Sequence, residues 1–179
     1  MKYQVLEMVG ISGEFPVNQL HRLIESSSYA EKIITELKNE KLIRTHYRDR
    51  LRGYRLTKHA KELLLAQNMP RFHDYLTGNT ETNLIRSELP RRIRLHQKAE
   101  IYLTLLHANI PIFYDVKPNI FSRTCEADSS FIQDLPLFYS SREIKLSVMI
   151  QRKSEILEAS GFCYPHSVFT HSIILGTVS

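Results

Sequence analysis

The chain has 179 residues, 42% of them hydrophobic and 24% charged, which is enough to bury one large core or two small ones and too apolar for a disordered chain. Its formal charge of +5 and pI near 9.2 suit an anionic partner such as nucleic acid without requiring one. Cys125 and Cys163 stand far apart with no CxxC or Cys/His cluster, so neither a disulfide framework nor a zinc site is indicated. "MKYQVLEMVG" lacks the apolar core of a signal peptide and no run approaches a membrane span. The expected setting is therefore the cytoplasm, with no membrane partner and no cofactor.

Val5, Leu6 and Val9 give a short apolar helix face, closed by Gly10 and Gly13. Pro16 suits a first helical position, and Leu20, Leu23 and Ile24 form the stripe of a second helix. The run Ser26, Ser27, Ser28 breaks it. Ser28 with Glu31 has the spacing of a capping box, and Ala30, Ile33, Ile34 and Leu37 then mark a third helix with one buried face. From Leu42 the period changes to that of two short strands, about Leu42–Tyr47 and Tyr54–Leu56. Thr57 can cap a further helix carrying Ala60, Leu63 and Leu64 to about Gln67, which "NMP" closes.

The polar stretch from about Thr77 to Asn83 reads as a linker between domains 1–76 and 84–179. A long helix restarts with Pro90 near its first turn and Leu95, Ala99, Tyr102 and Leu106 as its inner stripe. "IPIFYDV" and the run from Phe131 to Tyr139 have strand character, a helix follows from about Ser141 to Ala159, and "FCYPHSVFTHSIIL" reads as a terminal hairpin. The fold class expected is α+β, an N-terminal winged helix-turn-helix followed by a small α/β domain.

Three helices followed by a hairpin is the winged-helix order, in which the third helix enters the major groove and the hairpin lies on the backbone. "THYRDRLRGYR" gathers Arg48, Arg50, Arg52 and Arg55 around one glycine. Such crowding of like charge is unfavourable unless an anion neutralises it, and phosphates do so with release of counterions. On the third helix, removing the buried stripe leaves Tyr29, Lys32, Thr35 and Asn39, with Ser28 at the positive helix end. Ser28, Tyr29, Lys32, Thr35, Asn39, Arg48, Arg50, Arg52 and Arg55 are thus the expected contacts to double-stranded DNA, with self-association left open. A packing or protein-interaction role for the same unit is the bland alternative.

"LRGYRLT", together with "SELPRRIRLHQKAEIYLTLLHANIPIFYDVKPNIF" and "FYSSREIK", resembles the replication-relaxation proteins of plasmids and conjugative elements. The resemblance implies a DNA-binding winged helix followed by an α/β domain, in an accessory or regulatory protein of mobile DNA. Such proteins usually continue beyond the region matching "SIILGTVS", so the chain is expected to be short for that family.

Two other function classes fit parts of the sequence. Glu100, Asp115, Glu143 and Lys145 occur in the order used by Mg²⁺-dependent PD-(D/E)xK nucleases, although Ser140 with Glu143 is more simply a second capping box. A general winged-helix transcriptional regulator is the other. Arg91, Arg92, Arg94 and Lys98 read as a solvated helix face, and His96 with Glu100 as an i, i+4 pair.

Overall fold

A computed structural model describes residues 1–77, 82–117, 137–141, 143–145, 147–149 and 152. They are mixed α and β, with several helices and a small three-stranded antiparallel sheet. The chain divides into two compact units, Met1–His107 and Ala108–Ser179.

The first unit is built around α1 (Lys2–Ser12), whose residues from Val5 to Ser12 are all buried. A helix this apolar on every side must lie at the centre of a fold. Gly10 falls inside it rather than ending it. Gly13, at φ 84, terminates α1 by donating its N–H to the Val9 carbonyl. The chain then turns into β1 (Phe15–Pro16), so Pro16 lies on a sheet edge instead of opening a helix. An edge tolerates the missing N–H of proline.

After a 3-10 turn, α2 (Leu20–Leu23) is a single turn, followed by α3 (Ser27–Asn39). Its cap is Ser26, whose hydroxyl accepts from the Tyr29 N–H, so the expected Ser28–Glu31 box does not form the helix start. Three consecutive serines offered three caps, and tertiary placement selected the first. The stripe is as expected, with Ala30, Ile33, Ile34 and Leu37 all buried.

Strands β2 (Ile43–Arg48) and β3 (Leu51–Leu56) pair from Ile43↔Leu56 to Arg48↔Leu51, and β1 joins β3 on its other side. Asp49 and Arg50 alone connect them, both at positive φ, 53° and 61°. Two-residue hairpin loops of the mirror-image class require this, and glycine or asparagine usually supplies it. Alternation along the ladder puts Thr45, Tyr47, Arg52 and Tyr54 on one face. Arg44, His46, Arg48, Leu51, Gly53 and Arg55 share the other.

Thr57 caps α4 (Lys58–Gln67) as expected. "NMP" does not close the unit: Asn68 caps a further helix, α5 (Met69–Leu76), with proline in its first turn. Thr82 caps the short α6 (Asn83–Arg86), and α7 (Leu89–His107) packs on α1 and β1. The N-terminal unit therefore continues past the polar stretch to His107, where the sequence placed a boundary between 76 and 84.

In the second unit, residues 110–113 lack regular structure and Tyr114–Val116 form a 3-10 turn, where a strand was expected. Ser140 and Glu143 do form a reciprocal capping box, each side chain accepting from the other's N–H. The described residues between 141 and 152 are helical. The expected terminal hairpin and most of the run from Phe131 lie outside the described residues.

Because Ala99, Tyr102 and Leu103 of α7 are buried, a fragment 1–107 is expected to unfold cooperatively. A fragment ending at Leu76 should lack that transition in a denaturant titration followed by circular dichroism. A cooperative transition of full stability in the shorter fragment would contradict the placement of α7.

Candidate nucleic-acid interface

The first unit sorts its cations into two environments. The buried one is organised by Glu14, a fully buried carboxylate just after α1. It accepts from Arg55 Nε at 2.7 Å, from Arg92 Nη2 at 2.6 Å and contacts His96 Nε2 at 2.9 Å. Arg92 is itself fully buried. Its remaining donors reach the carbonyls of His46, Arg48 and Leu51, which closes the back of the hairpin onto α7. Arg55 completes its shell with the Ser87 hydroxyl and the Arg86 carbonyl. One carboxylate is outnumbered by two guanidiniums, and backbone carbonyl dipoles supply the rest of the compensation.

Gly53 makes room for this. A Cβ there would stand 2.5 Å from Glu14 Oε1. The glycine in the arginine-rich run is a passage for the Glu14 side chain, not a turn residue.

Three sequence expectations change as a result. Arg55, expected to contact DNA, is only 6% exposed and committed to Glu14. Arg92, read as part of a solvated face, is the most buried cation in the unit, because α7 turns it into the sheet. His96 pairs with Glu14 rather than Glu100, which instead lies 3.8 Å from Arg22.

The other environment is exposed. Ser28, Tyr29, Lys32, Thr35 and Asn39 all lie on the outer side of α3. Thr35 donates its hydroxyl to the Glu31 carbonyl, which leaves its oxygen lone pairs outward. Lys2 bridges Glu36 of α3 and Glu40 just after it at 2.7 and 3.0 Å, so both acids are neutralised away from that side. The Lys2–Glu36 hydrogen bond lowers the Glu36 pKa accordingly.

Lys38 lies over the Tyr54 ring at 5.4 Å, which brings the end of α3 against the face of the hairpin carrying Thr45, Tyr47 and Arg52. Arg52 and Tyr47 are cross-strand neighbours, and both are exposed. Arg50 occupies the tip. Arg48 is on the opposite face, with Asp49 at 3.4 Å. Lys32, Arg50 and Arg52 make no ion pair among the described residues.

Tyr47, 69% exposed, is the member of this surface that residue type did not reveal. An aromatic in a strand is ordinarily core, and only the ladder register turns this one outward. Together α3 and this hairpin face form a surface with cationic, hydroxyl and aromatic groups, suited to phosphates, base edges and sugars.

The second unit has a different chemistry. Glu143 spans its capping box and the buried Lys117 ammonium, 2.7 Å away, while Lys145 is exposed. Lys117 is packed among Phe138 and Tyr139, and burial pushes its pKa below the ordinary value. Glu143 and Lys145 sit two residues apart on one helix, so they do not face a common point. No cluster of His, Cys, Asp or Glu suited to a metal ion occurs among the described residues. No helix among them is long and apolar enough to cross a membrane.

No family model, curated protein or solved structure matches the chain.

The Glu14 cluster gives a pH signature. Burial would raise the Glu14 pKa, yet hydrogen bonds from His96, Arg92 and Arg55 outweigh it and lower it from 4.5 to about 2. A depressed carboxyl stabilises the fold above its unfolded pKa, and that stability is lost as pH falls from about 4.5 toward 2. The full effect is on the order of 3 kcal/mol, of which about 2 kcal/mol is gone by pH 3. Glu14→Gln should already be destabilised at pH 7, by about 3–5 kcal/mol, because two buried guanidiniums lose their counter-charge. Its further loss on acidification should be smaller than that of the native chain, measured by denaturant midpoints. Equal acid sensitivity in the two proteins would remove Glu14 as the titrating group.

Proposed function

We propose that residues 1–107 act as a winged helix-turn-helix that binds double-stranded DNA, with α3 in the major groove and the β2–β3 hairpin as the wing. The observation that carries this reading is the partition of charge. Glu14 and backbone carbonyls absorb Arg55 and Arg92, while Lys32, Arg50 and Arg52 remain exposed without ion pairs among the described residues. The element order helix, strand, helix, helix, hairpin and the strand order β1-β3-β2 agree with a winged helix.

Arg50 strengthens the case. A non-glycine residue at positive φ costs about 1 kcal/mol, and an arginine has no local hydrogen bond to offset it as asparagine would. A charged tip kept at that cost fits a phosphate contact. We further propose that the full chain is an accessory or regulatory protein of a mobile genetic element, in plasmid replication or conjugative transfer. That part rests on the resemblance of "LRGYRLT" and the segments after it to replication-relaxation proteins.

Fluorescence anisotropy with a labelled duplex across salt concentrations tests the DNA reading. Arg50→Ala with Arg52→Ala should weaken all duplexes alike and flatten the log–log salt slope by about one per lost phosphate contact. Lys32→Ala should change the ranking of duplex sequences instead. Native affinity and slope in the double variant at low salt would sink the wing assignment.

Arg50→Gly offers a check free of misfolding: it should raise stability by about 1 kcal/mol while still weakening binding. A variant that is more stable and binds undiminished would exclude the tip from the interface.

A further inference from the structure

Away from α3, the base of the sheet opens into a cleft of about 400 Å³. Its apolar wall comes from Val9 and Gly10 of α1, Leu56 of β3, Leu76 of α5 and Leu95 of α7. Its polar rim carries Arg44, Lys58 and Lys61, and Arg55, Arg86 and Arg91 also line it. No aspartate or glutamate does so among the described residues. Arg44 stands directly opposite Arg55 in the β2–β3 ladder, a like-charged cross-strand pair of the kind that destabilises a sheet. Glu14 satisfies Arg55 but does not line the cleft.

Lys61 is half-buried there, and its ammonium is pushed below the ordinary pKa, first by burial and then by the charges of Arg86 and Arg44. Lys58 lies 3.8 Å from Glu62 and is almost fully exposed. The described side chains that line the cleft are thus cationic at its rim and apolar along its wall. A volume of this order accommodates a small organic molecule rather than a bare ion.

We infer that this cleft is a binding site for a small phosphate monoester with an apolar body, its phosphate held by Arg44, Lys58 and Lys61 and its body against Val9, Leu56 and Leu95. Three cations match a dianion better than a carboxylate. Arg44 and Arg55 occupy the sheet face opposite Thr45, Tyr47 and Arg52, so the site is separate from the surface proposed for DNA. Its existence does not depend on that proposal.

Phenyl phosphate serves as the probe, titrated into the full chain by isothermal calorimetry beside inorganic phosphate, phenol and benzoate. Saturable binding of one phenyl phosphate per chain is expected, about tenfold or more tighter than inorganic phosphate, phenol or benzoate. Arg44→Gln and Lys61→Gln should each weaken it by about tenfold. Arg44 is exposed, so its replacement leaves the fold intact. Phenyl phosphate binding no tighter than inorganic phosphate would overturn the apolar wall, and equal affinity for benzoate would overturn the dianion. Unchanged affinity in both variants would overturn the site.

Discussion

Glu14 is the contact on which the N-terminal unit turns. A carboxylate with no solvent exposure, it draws Arg55 from the central strand and Arg92 and His96 from α7 to one point. Arg92 then spends its remaining donors on carbonyls of both hairpin strands. Buried ion clusters of this kind contribute little net stability over a well-packed apolar core, but they are costly to break and they fix geometry. Here the geometry fixed is the attachment of the hairpin to α7. A lysine at position 92 could not replace the arginine, since an ammonium lacks the planar fork that serves a carboxylate and several carbonyls at once.

The same cluster shapes the electrostatics of the surface. The Arg48–Arg55 run would be uniformly repulsive if all of it were exposed. Glu14 removes Arg55 from that field, Asp49 accompanies Arg48, and alternation along the ladder sends Arg52 toward α3. Burial and the neighbouring guanidiniums of Arg55 and Arg92 hold His46 below its ordinary pKa, so it adds no charge at neutral pH. What remains outward is a short line of cations on one side of the sheet. In the proposed DNA-binding role, such a line would suffice to follow a phosphate backbone.

Local signals were legible in the sequence where one residue spacing settles them. The Ala30–Leu37 stripe, the Thr57 cap and the Ser140–Glu143 box all depend on neighbours within a turn or two. The hairpin was legible from its change of period, though the tip was not: Asp49 suits positive φ but Arg50 stands where glycine is usual, and β3 extends further back than its apolar residues suggest. Contacts between distant residues were not legible. Glu14 and Arg92 meet across 78 positions, and nothing in either segment announces the other. That is why residue spacing alone places Arg55 among exposed contacts, Arg92 among solvated ones, and α7 after the linker. Tyr47 was overlooked for the related reason that strand register, not composition, decides which way it points.

In the proposed complex one face, made of α3 and the Thr45–Arg52 side of the hairpin, meets DNA while the Glu14 side does not. Amide chemical-shift mapping of the full chain with an unlabelled duplex tests it most directly. Shifts are expected between Ser28 and Asn39 and between Thr45 and Arg52, with the amides of Glu14, Arg92 and His96 scarcely moved. Shifts concentrated along α7, or none at low salt, would contradict it.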